Sequence, residues 1–147
     1  MRLSTRGHYG LKAIMDLALR YGQGPVALRS VAERQGISEH YLEQLIALLR
    51  QAGLVKGVRG AQGGYMLARE PEKIKVGEVI RALEGPIAPV SCVKEGDPVA
   101  CDRVTYCRAR TVWLRVRDAV ASTLDSISLA DLCREAEDVR KGGHNAT

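Results

Sequence analysis

The sequence predicts a mostly α-helical fold, a winged helix-turn-helix followed by a long C-terminal dimerisation helix. Three observations point there. Two amphipathic segments, Leu28 to Gln35 and Ser38 to Leu49, are separated by one short turn containing Gly36. Two β-prone runs flank a glycine-rich loop directly afterwards. The charge is also lopsided. Residues 1–60 carry nine Lys/Arg against four Asp/Glu, and residues 61–147 carry thirteen of each, so the whole net charge of +5 sits in the first two-fifths of the chain. A basic segment beside a neutral one suggests an N-terminal part that meets a polyanion, against the plainer alternative of a solvated basic face. The 147 residues suit one domain or one small domain with an extension. Phe is absent and aromatics are 4%, so any core must be aliphatic. No apolar run approaches the roughly 20 residues of a membrane helix. The basic N-terminus is not followed by an apolar block, so no secretory signal is expected and the location is cytoplasmic.

The first helix is expected over Thr5 to Tyr21. Leu11, Ile14, Met15, Ala18 and Leu19 share one face, with Ser4 or Thr5 as N-cap and Gly22, Gly24 and Pro25 as stops. Leu28, Val31 and Ala32 face inward on the second helix. Leu42, Leu45, Ile46 and Leu49 line the third, which Ser38 caps, Ile37 staples against Leu42, and Gly53 stops. Leu54 to Val58 and Tyr65 to Leu67 read as a two-stranded wing around Arg59 to Gly64. An isolated hairpin is marginal in water, so the wing must pack on the helices. A short helix spans Val76 to Leu83. Residues 85–107 lack periodicity and form an ordered loop only if something ties them together. Arg108 to Ser126 is a long helix whose seam of Val112, Trp113, Val116, Ala119, Val120, Leu124 and Ile127 has little chain left to cover it, so a partner helix is the expected cover, against the alternative of a helix packed on its own domain. Ser128 to Asp131 resembles a capping box opening a last short helix. The expected division is a DNA-binding region over 1–70, a connector helix and loop over 71–90, a cysteine loop over 91–107, dimerisation and C-terminal helices over 108–140, and a disordered tail over 141–147.

Double-stranded DNA is the expected partner. Ser38, His40, Tyr41, Glu43 and Gln44 occupy the exposed first turns of the third helix, where a recognition helix enters the major groove. Gln44 can pair with adenine and Glu43 can accept from the cytosine amino group. Read alone, the same face is simply wet; the wing and the charge asymmetry favour the DNA reading. Arg59 and Gly60 at the wing tip suit a minor groove or a phosphate. The loop lacks the phosphate-cradling G-x-x-x-x-G-K-[ST] pattern, and neither H-E-x-x-H nor G-x-S-x-G occurs, so no enzyme is expected. Cys92, Cys101 and Cys107 place three thiols in sixteen residues. Thiolates select zinc or iron–sulfur clusters. The spacing misses the C-x(2–4)-C pairs of zinc sites and suits a cluster wrapped by a loop, against unrelated thiols or one disulfide plus a free thiol. Cys133 reads as a small core residue.

Met1 to Gly10, Gly36 to Leu45, Val58 to Tyr65 and Val76 to Ile80 together resemble the IscR and CymR group of bacterial winged-helix repressors, over residues 1 to about 135. CymR-type members share Glu84-Gly85-Pro86-Ile87 and Pro89-Val90 but lack the cysteine triplet, so the triplet is similar to the IscR type. The resemblance implies a homodimer and an iron–sulfur cluster on Cys92, Cys101 and Cys107, 2Fe–2S in preference to 4Fe–4S. It also implies promoter binding set by cluster state, control of iron–sulfur assembly genes, and a role for Glu43 in discriminating DNA sites. The alternative on the same fold is a clusterless thiol-redox or cysteine-metabolism sensor. IscR-type members place a His ligand three residues after the last cysteine; here that position is Arg110. A guanidinium has no lone pair for iron. Either the fourth ligand comes from elsewhere or the cluster keeps an exchangeable site; resemblance to a related nitric-oxide sensor implies His8 from the other subunit as the leading candidate, against a surface or phosphate-facing histidine, with Asp102, Cys133 and His144 behind it.

Overall fold

The computed structural model describes residues 4–96 and 108–142. Its helices are α1 (Thr5–Leu19), α2 (Leu28–Gln35), α3 (Glu39–Gln51), α4 (Val76–Glu84), α5 (Ala109–Asp125) and α6 (Leu129–Gly142). Strands β1 (Val55–Val58) and β2 (Gly64–Leu67) pair antiparallel, with Val55 opposite Leu67 and Val58 opposite Gly64. One-turn 3-10 segments occur at Pro71–Lys73 and Ser91–Val93. The architecture is the mostly α winged helix-turn-helix that the periodicity predicts.

Local chemistry sets each boundary. Ser4 caps α1 by accepting from the Arg6 amide at 3.2 Å. The Glu84 carboxylate at the end of α4 then accepts from the Ser4 and Gly7 amides at 3.1 and 2.8 Å, and from the Ser4 hydroxyl. An anion is favourable at a helix N-terminus, so this contact also fastens α4 to α1. Gly10 faces Leu83 so closely that a Cβ there would overlap the leucine methyls. Gly36 ends α2 in the left-handed region at φ +67°, and the Ser38 hydroxyl accepts from the Tyr41 amide at 3.1 Å to start α3.

The wing does not stand alone. Val26 and Tyr65 exchange two backbone hydrogen bonds of 2.8 Å, so the chain entering α2 pairs with the second wing strand. A Cβ on Gly64 would strike the Val26 carbonyl, which explains glycine there. Leu54, Val55 and Leu67 anchor the hairpin in an aliphatic core with Ile14 and Leu17 of α1, Leu42, Leu45, Ile46 and Leu49 of α3, Val79 and Leu83 of α4, and Leu129 of α6.

Two helices, the first and the last, differ from expectation in extent. The first helix stops at Leu19, two residues early, with Arg20 as its C-cap. The last helix is not short: it runs fourteen residues to Gly142, so Lys141 and Gly142 of the expected tail are helical. The cap resemblance is real. Ser128 N–H donates to Asp131 at 2.9 Å and Asp131 N–H donates to the Ser128 hydroxyl at 3.0 Å. Backbone bonds from Val76 to Ile127 (2.8 Å) and from Leu129 to Ile74 (2.9 Å) stitch the α5–α6 junction to the start of α4. In contrast, α5 has no buried residue, and Val112, Trp113 and Val116 are 53%, 37% and 36% exposed. Among the described residues no helix is long and apolar enough to cross a membrane.

Candidate nucleic-acid interface and cysteine segment

The burial of Leu42, Leu45, Ile46 and Leu49 fixes the rotation of α3 about its axis. Ser38, His40, Glu43 and Gln44 therefore face solvent. The Gln44 amide nitrogen lies 3.3 Å from His40 Nε2, so the two side chains orient one another across one helical turn. Tyr41 is half-buried and meets Tyr9 of α1 edge-on, centroids 6.4 Å apart. Lys12 Nζ sits 5.3 Å above the Tyr9 ring, which keeps a cation beside the N-terminal end of α3.

At the wing, Arg59 and Gly60 are exposed at the tip. Gly60 adopts φ +120°, outside the reach of most side chains, and its carbonyl accepts from the Gly63 amide at 3.0 Å. Gly63 must be glycine because a Cβ would strike the Val58 carbonyl. Arg50, on the last turn of α3, joins Arg59 and the wing glycines around a cleft of about 420 Å³. Sequence reasoning passed over Arg50; its place on the exposed side of the last turn, opposite Leu45 and Leu49, was the available signal.

Cys92 is half-buried in the Ser91–Val93 turn. That turn lies on α5: Val93 is buried, and its carbonyl accepts from Arg117 Nη1 at 3.1 Å. Cys101, Cys107, Asp102 and His144 lie outside the described residues. The described chain resumes at Arg108, where α5 is about to begin. Cys92 thus sits on the flank of α5, and Arg108 is the N-cap residue of that helix.

Donor chemistry tests the fit of a cluster. Thiolates are soft ligands that suit iron, and Cys92, the described thiol of the triplet, is half-buried in the turn that packs on α5. Arg110 does not match a fourth ligand; its Nε is buried without a hydrogen-bond partner among the described residues. His8 is exposed on α1, edge-on to Tyr9 at 5.1 Å, beside a groove formed with α6. Burial, together with the charges of Glu137 and Glu72, pushes the Cys133 thiol up from its ordinary value. Among the described residues no three His, Cys, Asp or Glu side chains converge on one point.

A family model described as Rrf2, iron-dependent transcriptional regulator, matches residues 3–135. The solved structure of CymR (YrzC), the global cysteine regulator of B. subtilis, is 47% identical with a TM-score of 0.77, the match covering 92% of this chain and 98% of that one. T. potens IscR is 51% identical with a TM-score of 0.78, covering 95% of this chain and 90% of the other. The HTH-type transcriptional regulator IscR of Aliivibrio salmonicida is 44% identical over 93% of this chain and 80% of its own length.

Proposed function

The chain belongs to the Rrf2 family of transcriptional regulators, and on that premise we propose that it is a dimeric cytoplasmic repressor whose promoter affinity follows an iron–sulfur cluster held by Cys92, Cys101 and Cys107. The relatives are named as regulators of transcription, so its role is DNA binding and not catalysis. The observation that carries the proposal is the placement of the Cys92 turn. It is fixed to α5 through Arg117 and Val93, on the helix whose apolar seam is uncovered. The identity to proteins named IscR supports control of iron–sulfur assembly genes.

When bound, a 2Fe–2S or 4Fe–4S centre would supply a redox-sensitive charge and a covalent tie among the three sulfurs. The chain's own residues do the rest. Arg117 holds the turn against α5. Val112, Trp113 and Val116 offer the seam to a second copy. Two α3 helices about a two-fold axis then read a pseudo-palindrome through Ser38, His40, Tyr41, Glu43 and Gln44. Arg59 and Gly60 enter the minor groove, and Arg50 holds the adjoining phosphate, giving steep salt dependence.

A second reading has a specific observation behind it. Arg110 supplies no fourth ligand, and CymR, the global cysteine regulator of B. subtilis, is 47% identical. The same fold with thiols that oxidise, and no metal, would also regulate DNA binding. Anaerobic purification with iron and sulfide analysis separates the two. The cluster proposal expects a coloured protein that Cys107→Ala bleaches, and expects His8→Ala to bleach it if His8 completes the ligand set. A colourless protein that forms disulfides in air supports the rival.

A further inference from the structure

One arginine ties the cysteine segment to the DNA-binding body. Arg81 of α4 donates from Nε and Nη2 to both oxygens of Glu95, at 2.8 and 3.0 Å. Its Nη1 and Nη2 also donate to both oxygens of Asp125, at 2.6 and 3.0 Å. Glu95 lies three residues beyond Cys92, and Asp125 is the last residue of α5. Four of the five N–H donors of the planar fork are used in two bidentate pairs, a geometry that lysine cannot reproduce. The Glu95 carboxylate takes a further bond from the Ile87 amide at 3.4 Å, which closes the loop from Ile87 to Glu95 on itself.

The surroundings are shaped for this contact. A Cβ on Gly77, one turn before Arg81, would collide with an Asp125 oxygen. Glycine at that position is what lets the α5 terminus reach the guanidinium. From Arg81 the path inward is short. Val79, Ile80 and Leu83 of α4 are buried, and Val79 and Leu83 belong to the same core as Leu42, Leu45 and Leu49 of α3. At its far end α4 caps α1 through Glu84. The Cys92 turn, the end of α5 and the DNA-reading helix are therefore all referenced to α4.

We infer that Arg81 is a positioning residue that locks the Cys92 turn and the α5 terminus to α4, so that the state of the cysteine segment is felt by α3. The inference rests on the proposal that this segment controls DNA binding, and its test separates the two. Arg81→Gln and Arg81→Lys chains are first shown to be folded by circular dichroism. The iron-free chains are then pulsed with iodoacetamide, and modification of Cys92 is read by peptide mass, with Cys133 as internal reference. Promoter affinity is measured for each chain with iron and sulfide loaded and removed.

The expected result is a several-fold faster modification of Cys92 in Arg81→Gln, with Cys133 unchanged. The affinity ratio between loaded and iron-free protein should fall towards unity, with Arg81→Lys intermediate. An unchanged Cys92 rate, or a ratio equal to that of the wild type, overturns the inference. If the wild type takes up no iron, the cluster proposal fails by itself. The Cys92 rate and the affinity ratio between thiol-oxidised and reduced protein then decide the role of Arg81 in the same way.

Discussion

Asp16 is the residue on which the first two helices meet. Its carboxylate is 4% exposed on α1, and it accepts from Arg34 at 2.9 and 2.7 Å, from Gln35 at 3.1 Å and from Arg20 at 3.0 Å. Burial pushes its pKa up, but hydrogen bonds from Arg34 and Gln35 and the charges of Arg20 and Arg34 outweigh it, so the group sits below its ordinary value. A depressed carboxylate contributes stability that is complete above the unfolded pKa, about 3.9, and is lost as pH falls through the folded value. Asp16→Asn should therefore destabilise the chain at pH 7 by about 2 kcal/mol, a buried-pair loss discounted because both arginines are about one-third exposed. Urea denaturation should show the gap from wild type closing as pH drops below about 4. A gap independent of pH would contradict this. Neither this cluster nor the Arg81 fork was legible in the sequence. Asp16 and Arg34 are eighteen residues apart, and Arg81 and Asp125 forty-four, so no periodicity links them. Single-residue features with local causes were legible: the Ser38 cap, the Gly36 stop and the Ser128–Asp131 box all depend on neighbours within four positions.

Helix α4 packs along α1 and ends by capping it through Glu84. Gly10 and Leu83 form the closest point of that packing. Gly10→Ala gains about 1 kcal/mol of helix propensity, but Leu83 is 3% exposed and has no room to swing aside. Overpacking of this kind costs about 1–3 kcal/mol. The net expectation is destabilisation, read as a lower midpoint in thermal unfolding; a raised midpoint would show that the helices can part at no cost. The helices themselves were readable because each buries one stripe at a period of 3.6 residues. Their ends were less so. Nothing local in the sequence announced that α6 would continue through Lys141 and Gly142. Likewise the wing was readable from its glycines and β-branched residues, whereas its pairing with Val26 needed the third dimension.

For the whole molecule, the question is what α5 is for. Helix α5, seventeen residues with none buried, meets the described chain through Arg117 and Asp125, which leaves its apolar seam uncovered there. Its exposed Val112, Trp113 and Val116 fit a second copy, and two copies would place two α3 helices on one duplex. Val116→Glu should convert a dimer to a monomer in sedimentation velocity and abolish tight promoter binding; a dimer unaffected by this change would move the interface elsewhere. The candidate DNA residues were readable from α3 and the wing, because the core face fixes which side is left for DNA. The cysteine segment was readable only as three thiols, with Arg110 where the resemblance implies a fourth ligand. The central claim joins these parts, and one titration tests it most directly. A single anaerobic preparation, loaded with iron and sulfide, is divided, and half is stripped with a chelator. Both halves are titrated against the same promoter fragment at fixed salt. The account predicts isotherms displaced by several-fold in affinity; superimposable isotherms would contradict it.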